Sequence, residues 1–155
     1  MIYKVKYPVS LAAVFLWIGF VGAISFMEAW LKFSAPGITL PLGLGIGKIV
    51  FNSLNNIEWI LAFAVVLNIV FVKGELLKLK NLFYYIPVII LLVQTFWLLP
   101  QLSVRADLYI NDMPVPDSNI HIYYIVLEII KIISLFVFGI LQFDKSEKLK
   151  NIPVE

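Results

Sequence analysis

Long runs of apolar residues, separated by short polar segments, occupy most of this sequence. A run of 21 residues without a charge extends from Tyr7 to Met27, and a run of 24 extends from Asn81 to Val104. A helix needs about 20 predominantly apolar residues to cross the hydrocarbon core of a bilayer. Each run therefore predicts a spanning helix. Pro100 is predicted to end the later one, before a polar loop from Gln101 to Asp117.

A further apolar region, from Leu42 to Val72, carries polar residues in its first half. Only 14 residues lie between Glu58 and Lys73, which is too few for an untilted crossing. The second helix is therefore predicted to begin before Glu58 and to carry Asn55 and Glu58 into the membrane. The alternative is that residues 42–54 lie along the interface or re-enter the membrane.

The segment from Ser118 to Phe143 is apolar but contains titratable side chains. The stretches on either side of Lys131 are both shorter than the roughly 20 residues of a crossing, so Glu128 and Lys131 must cross with the helix. At about 100° per residue, its polar residues share one helical face. That face holds His121, Tyr124, Glu128, Lys131 and Leu135. Because such a stripe is costly in lipid, we expect it to face other helices or water.

These patterns predict an all-α fold, a four-transmembrane-helix bundle that forms a single integral membrane domain over residues 1–155. The helices are expected at roughly 7–32, 46–72, 81–100 and 118–143. Composition agrees, because 61% of residues are hydrophobic and only 14% are charged, against about 25% charged in soluble domains. The mean hydropathy is +0.95.

Basic residues predict the orientation of the bundle. Eight lysines fall at one end of the predicted helices, and two lysines and an arginine fall at the other. The first group is Lys4, Lys6, Lys73, Lys78, Lys80, Lys145, Lys148 and Lys150, and the second is Lys32, Lys48 and Arg105. The positive-inside rule then places both termini in the cytoplasm, as expected for a multi-pass protein of the cell (inner) membrane. The first apolar run is too long for a signal peptide, so it is predicted to be retained.

Depth along each helix follows from a rise of about 1.5 Å per residue. Glu58 comes about 22 Å above Lys73, and Gln94 about 20 Å above Asn81, while Lys131 lies near the middle of the membrane. Polar residues of separate helices therefore share the outer half, which predicts a polar pocket open to the outside. The predicted ligand-binding residues are Glu28, Asn55, Glu58, Gln94, Arg105, His121, Tyr124, Glu128 and Lys131.

Each polar feature also has a purely structural interpretation. Glu28 and Lys32 are spaced for an ion pair at the end of a helix. Lys131 could be neutralised by Glu128, one turn away, or by Glu58 across the bundle, and the sequence does not choose. The whole set could serve only to hold the helices in register, although interhelical polar bonds in membranes average only about 0.6 kcal/mol in some systems.

The residue types argue against thiol chemistry, nucleotide binding and nucleic-acid binding. The chain has no cysteine, which excludes disulfides, thiol chemistry and cysteine metal sites. Gly43, Gly45 and Gly47 lack the context of a nucleotide loop and are better suited to close helix packing. The net charge of +2 gives no argument for nucleic acid. No cofactor is expected. The argument for a metal site formed by His121 with Glu28, Glu58 or Glu128 depends on a single histidine.

One resemblance covers most of the chain. It lies in FMEAWLKFSAPGITLPLGLGIGKIVFNSLNNIE, then Arg105, then the spacing of His121, Tyr124, Glu128 and Lys131. This pattern resembles uncharacterised four-helix bacterial membrane proteins and, in outline, is similar to the transmembrane-protein-205-like group. The resemblance implies four spans and no particular reaction.

Several functions are compatible with such a pocket. The first is binding or transport of a small lipophilic or cationic molecule that reaches Glu58 or Glu128, with Tyr124, Trp59 and Trp97 offering cation–π faces. Transport by four helices would call for a homodimer. The second is a membrane enzyme in which His121 and a carboxylate act on a lipid-like substrate, although no nucleophile motif is present. The third is a structural subunit of a membrane complex. Membrane lipid is the expected partner in every case.

Overall fold

Four long helices make up nearly all of the structure. The computed structural model describes residues 3–72 and 82–145. The helices are α1 (Pro8–Ser34), α2 (Leu40–Phe71), α3 (Leu82–Ile110) and α4 (Ile120–Ile140), and each is long and apolar enough to cross a membrane. Two three-residue strands, β1 (Tyr3–Val5) and β2 (Phe143–Lys145), complete the described chain. The predicted all-α bundle of four transmembrane helices is confirmed, and the membrane face of the termini stays a prediction.

The helices form a closed ring of neighbours. Helix α1 packs against α2 and α4, while α3 packs against α4 through its first half and against α2 through its second half. Trp17, Leu54, Leu91 and Phe138 are fully buried between them. Large apolar side chains also cover the outside. They include Phe63, Phe71, Ile86, Phe96, Ile122 and Phe136. An apolar exterior of this extent is what a bundle surrounded by acyl chains requires.

Helix α2 begins earlier than predicted. Thr39 caps it by accepting a hydrogen bond from the Leu42 amide at 3.4 Å, and Pro41 lies in the first turn. Proline is tolerated there because the first amides of a helix have no partner within the helix. Residues 42–54 are therefore part of α2, and they neither re-enter the membrane nor lie separately along it. At 32 residues, α2 is about 48 Å long and exceeds the hydrocarbon thickness.

Helix α3 does not end at Pro100, so that prediction is wrong. The backbone forms a π-helical turn over Gln94–Leu98, in which the Leu99 amide bonds to the Gln94 carbonyl, and it then continues as α-helix to Ile110. Pro100 lies two residues after this turn. Proline has no backbone N–H to donate, and here that absence falls where the helical hydrogen bonds already change from one spacing to another. The predicted loop 101–117 is consequently helical over its first ten residues.

Helix α1 also contains a π-helical stretch, over Gly22–Glu28, and it ends in a 3₁₀ turn at Lys32–Ser34. Gly37, in the following turn, has a φ of +82°, a conformation that glycine adopts without the steric penalty of a Cβ atom. This turn separates α1 from α2.

The two ends of the described chain pair with each other. Strands β1 and β2 are antiparallel, with Tyr3 opposite Lys145 and Val5 opposite Phe143. The ladder places the start of α1 and the end of α4 at one end of the bundle, as four crossings require. Five of the eight lysines used to predict the orientation, at positions 73, 78, 80, 148 and 150, lie outside the described residues.

Candidate functional site

Three charged side chains meet in the centre of the bundle. Lys131 of α4 forms ion pairs with Glu58 of α2 and with Glu128 one turn earlier, the latter with its Nζ 3.2 Å from Oε2. All three side chains are at most 1% exposed. Lys131 therefore pairs with both of the acids that the sequence left as alternatives. We call Glu58, Glu128 and Lys131 the buried triad.

Two neutral side chains add further hydrogen bonds to the triad. Gln94 of α3 accepts from Lys131 Nζ at 2.6 Å through its Oε1 and donates through Nε2 to Glu128 Oε1 at 3.0 Å. Trp17 of α1 donates from Nε1 to Glu58 Oε1 at 2.7 Å. All four helices thus contribute to one polar centre. Such a centre is tolerated in a membrane because its polar groups satisfy one another.

The π-helical turn in α3 begins at Gln94, the residue that reaches the triad. The π-helical stretch of α1 contains Ser25, which lies beside the same carboxylate region at the bottom of a cavity. Wide turns of this kind re-aim a side chain by about one position relative to an ordinary helix, and they are frequent at functional sites.

A cavity of about 610 Å³ opens above the triad, at the end of the bundle opposite the β1–β2 ladder. Its walls come from the last part of α1, the start of α2, the end of α3 and the start of α4. Most of its lining is apolar, including Phe33, Leu44, Phe51, Leu99 and Ile125. Glycines shape the α2 wall, since a Cβ at Gly43 would overlap the Phe33 ring and a Cβ at Gly47 would lie 2.9 Å from Lys32 Nζ. Gly43 and Gly47 are therefore closely approached by side chains of α1, whereas a Cβ at Gly45 would make only an ordinary contact with Ile110 at 3.8 Å.

Three basic side chains also line the cavity, and each has a local partner. Lys32 is paired with Glu28 at 3.2 Å. Lys48 is paired with Asp107 at 2.6 Å. Arg105 donates to the carbonyl of Pro116 at 2.6 Å. The ion pair predicted between Glu28 and Lys32 is therefore present, and it is Lys32 rather than Glu28 that lines the cavity.

The inner end of the cavity contains polar oxygens whose hydrogen-bonding capacity is unused. Glu128 Oε2 and Ser25 Oγ are buried, and within the described part of the chain neither has a hydrogen-bond partner in good geometry, although the Tyr124 hydroxyl lies beside both side chains. Oε2 faces Lys131 as an ion-pair partner only. Tyr124 is 3% exposed, lines the same end and packs edge-to-face on Phe51, with ring centroids 5.5 Å apart.

The predicted site residues divide into groups. Arg105, His121, Tyr124 and Glu128 line the cavity. Glu58, Gln94 and Lys131 lie behind Glu128 in the bundle centre. Asn55 is elsewhere, because its side chain bonds to Thr95 at 2.9 Å between α2 and α3. That contact is the register-holding role that the sequence allowed as an alternative.

The aromatic faces proposed from the sequence are only partly in place. Tyr124 lines the cavity, but Trp59 donates to Thr95 at 3.1 Å and lies outside it. Trp97 is 53% exposed on the outer surface. A π-helical turn that ends at Leu98 changes the direction in which Trp97 points, and the sequence gives no sign of this turn.

Several contributors were not predicted. Trp17 lies within an uncharged run, where nothing marks it as a partner for an acid. Lys48 was counted only as a charge for orientation. Ser25 resembles any small residue of a membrane helix. None of these three residues is marked by a sequence pattern. The only pattern that indicated a part of the cavity wall was the four-residue spacing of Gly43 and Gly47, which is typical of close helix contacts.

His121 does not join the carboxylates. It is exposed at the rim of the cavity, and no ion pair links it to an acid among residues 3–72 and 82–145. Glu128, two turns further along α4, lies about 10 Å deeper. Within the same residues, no group of three or more His, Cys, Asp or Glu side chains is arranged to hold a metal ion.

Comparison with known proteins finds no relative of this chain. No protein-family model, no curated protein and no solved structure matches the chain. The four spans, the buried triad and the cavity above it therefore define the class of protein, a multi-pass membrane protein with a charged centre.

Proposed function

We propose that this membrane protein binds a small amphiphilic molecule in the cavity above the triad. The observation that carries the proposal is a cavity of about 610 Å³ with a mainly apolar lining and unsatisfied oxygens at its inner end. Sites for small molecules are typically about 300–1,000 Å³, apolar in most of their lining, with a few polar groups that fix orientation.

The position of the cavity also supports an amphiphile. Its walls include residues between positions 40 and 51 at the start of α2 and between 99 and 109 near the end of α3. Both helices are longer than a hydrocarbon core of about 30 Å requires. Exposed Trp30, Leu40 and Tyr109 stand at the rim. These features support an opening near the level of lipid head groups, where an amphiphile presents its polar end. In the predicted orientation, that level belongs to the outer leaflet.

A cavity-filling substitution tests the proposal. Ala29 of α1 lines the cavity, whereas Ala23, six residues earlier in the same helix, is exposed on the outside. We expect Ala29→Phe to abolish binding of lipophilic molecules that co-purify with the wild-type protein, as measured by mass spectrometry of the detergent-solubilised protein. Ala23→Phe is the matched control and should retain them. Retention of the same molecules by Ala29→Phe would refute the proposal.

Catalysis by His121 lacks a geometric basis among the described residues, because the imidazole is separated from the carboxylates that would act with it. The role of a structural subunit and the homodimer stay predictions from the sequence. The likeness to the transmembrane-protein-205-like group likewise stays a resemblance.

A further inference from the structure

The polar centre has more negative than positive charge. With all three groups of the buried triad ionised, two carboxylates face one ammonium, which leaves one excess negative charge. Gln94 and Trp17 contribute hydrogen bonds but no charge. An uncompensated charge in a low-dielectric interior is unfavourable, so the centre favours an additional positive charge, either a bound cation or a proton on one carboxylate.

The excess charge is directed toward the cavity. Glu58 lies behind the lining, held by Trp17 and Lys131. Glu128 lines the cavity, and its Oε2 atom lies 3.2 Å from Lys131 Nζ and beside the Tyr124 hydroxyl but has no hydrogen bond of good geometry from the described residues. The side chain of Glu128 is 0% exposed. Ser25 Oγ, a second buried oxygen without a partner there, borders the same space.

The cations already lining the cavity are engaged elsewhere. Lys32 and Lys48 are neutralised by Glu28 and Asp107, and the Arg105 guanidinium is bonded to a backbone carbonyl at the rim. The Tyr124 ring lies at the inner end edge-to-face with Phe51, and Lys32 Nζ lies 5.6 Å from the centroid of the Phe51 ring. Electron-rich ring faces of this kind stabilise an ammonium group.

We infer that the amphiphile bound in this cavity carries a protonated amine, which forms a charge-assisted hydrogen bond with Glu128 Oε2 and a second bond with Ser25 Oγ. This inference rests on the proposed function and specifies its ligand class. The ammonium supplies the positive charge that the triad lacks, while the alkyl or aryl part of the molecule occupies the apolar walls toward Leu44 and Ile125.

The experiment compares two probes of the same chain length, dodecylamine and dodecanol, on the protein purified in a nonionic detergent. At neutral pH an alkylamine is protonated and the alcohol is neutral. Binding of each probe is measured by native mass spectrometry over a concentration series. We expect the amine to bind about 10-fold or more tightly than the alcohol, as a charge-assisted bond in a desolvated site implies.

Three variants localise the effect. Glu128→Gln keeps the side-chain shape and leaves Lys131 paired with Glu58, so it should fold and should remove the preference for the amine. Ser25→Ala leaves the triad intact and should weaken amine binding by about 3- to 10-fold, the effect of losing one hydrogen bond. Asp112→Asn makes the same charge change at the same end of the bundle, outside the cavity, and should behave as wild type.

The outcomes separate the inference from the proposed function. Equal binding of both probes, blocked by Ala29→Phe and unaffected by Glu128→Gln, would overturn the amine assignment and leave the binding cavity standing. Amine binding that survives both Glu128→Gln and Ser25→Ala would also overturn the assignment. If neither probe binds the wild-type protein, both the proposed function and the inference fail.

Discussion

Side chains of the other three helices converge around Lys131 of α4. Its ammonium group contacts Glu58 of α2, Gln94 of α3 and Glu128 of its own helix, and Trp17 of α1 contacts the same Glu58 oxygen. All of these side chains are at most 1% exposed. Their contribution to stability therefore depends on one another, as in any buried network.

Removing the lysine should be more damaging than removing either acid. Lys131→Met leaves two buried carboxylates without a counter-charge, and breaking a buried pair from one side costs about 3–5 kcal/mol. We expect a lower midpoint of thermal unfolding in detergent, followed by tryptophan fluorescence.

Two controls test the electrostatic explanation. Adding Glu58→Gln and Glu128→Gln to Lys131→Met should restore most of the lost stability, because no buried charge then remains in the triad. Lys48→Met removes a half-exposed ion pair with Asp107 and should change stability by less than about 1 kcal/mol. A triple variant no more stable than Lys131→Met would contradict this account.

The hydrogen bond from Trp17 gives a second prediction for a single residue. Trp17→Phe removes the donor that lies 2.7 Å from Glu58 Oε1, and it should destabilise the protein by about 1–3 kcal/mol. Trp30→Phe is the control, since Trp30 is 61% exposed and should change stability by less than about 0.5 kcal/mol. Equal effects of the two substitutions in chemical denaturation would refute a specific role for the indole donor.

Among individual residues, the sequence could predict which charges are buried but not how they pair. Glu58, Glu128 and Lys131 were placed at membrane depth because no uncharged run is long enough to avoid them. The pairing depends on the rotation of each helix about its axis, which apolar residues on every face leave undefined. His121 was expected on the same stripe, yet it lies at the rim because α4 begins only one residue before it.

At the scale of the helices, α1 and α2 meet through glycine. The Phe33 ring occupies the space beside Gly43 where a Cβ would lie. Gly43→Ala should therefore displace the ring, alter the cavity wall and destabilise the protein by about 1–3 kcal/mol, the usual range for overpacking.

Gly19 provides the matched control, because a Cβ there would have no neighbour within 4 Å. Gly19→Ala should be neutral or stabilising by up to about 1 kcal/mol, owing to the higher helix propensity of alanine. Thermal unfolding of both variants in the same detergent checks the pair. A Gly43→Ala protein as stable as wild type would show that the contact is not tight.

Helix existence was predictable from hydrophobic length, whereas helix ends and wide turns were not. Pro100 suggested a helix end, yet Pro100 and Pro41 each lie within the first turn of a helical segment. A proline restricts only its own φ and donor, so its effect depends on whether the preceding hydrogen-bond pattern needs that donor. The π-helical turns at Gly22–Glu28 and Gln94–Leu98 depend on tertiary contacts and leave no local signal.

At the scale of the whole molecule, the four crossings give a direct test of topology. The chain has no native cysteine, so single cysteines can be introduced without background. We expect a membrane-impermeant maleimide to label Met113→Cys in intact cells, because Met113 is 54% exposed in the turn between α3 and α4. Tyr3→Cys and Lys145→Cys should react only after the cells are opened. Labelling of Tyr3→Cys in intact cells would contradict the predicted orientation.

The pairing of β1 with β2 has a practical consequence for studying this protein in cells. The backbones at Tyr3 and Lys145 are neighbours in one ladder, so a domain attached beyond either strand is held beside one attached beyond the other. Two fragments of a split fluorescent reporter, fused one on each side, should assemble within a single molecule at any expression level. Loss of that signal would then report separation of α1 from α4.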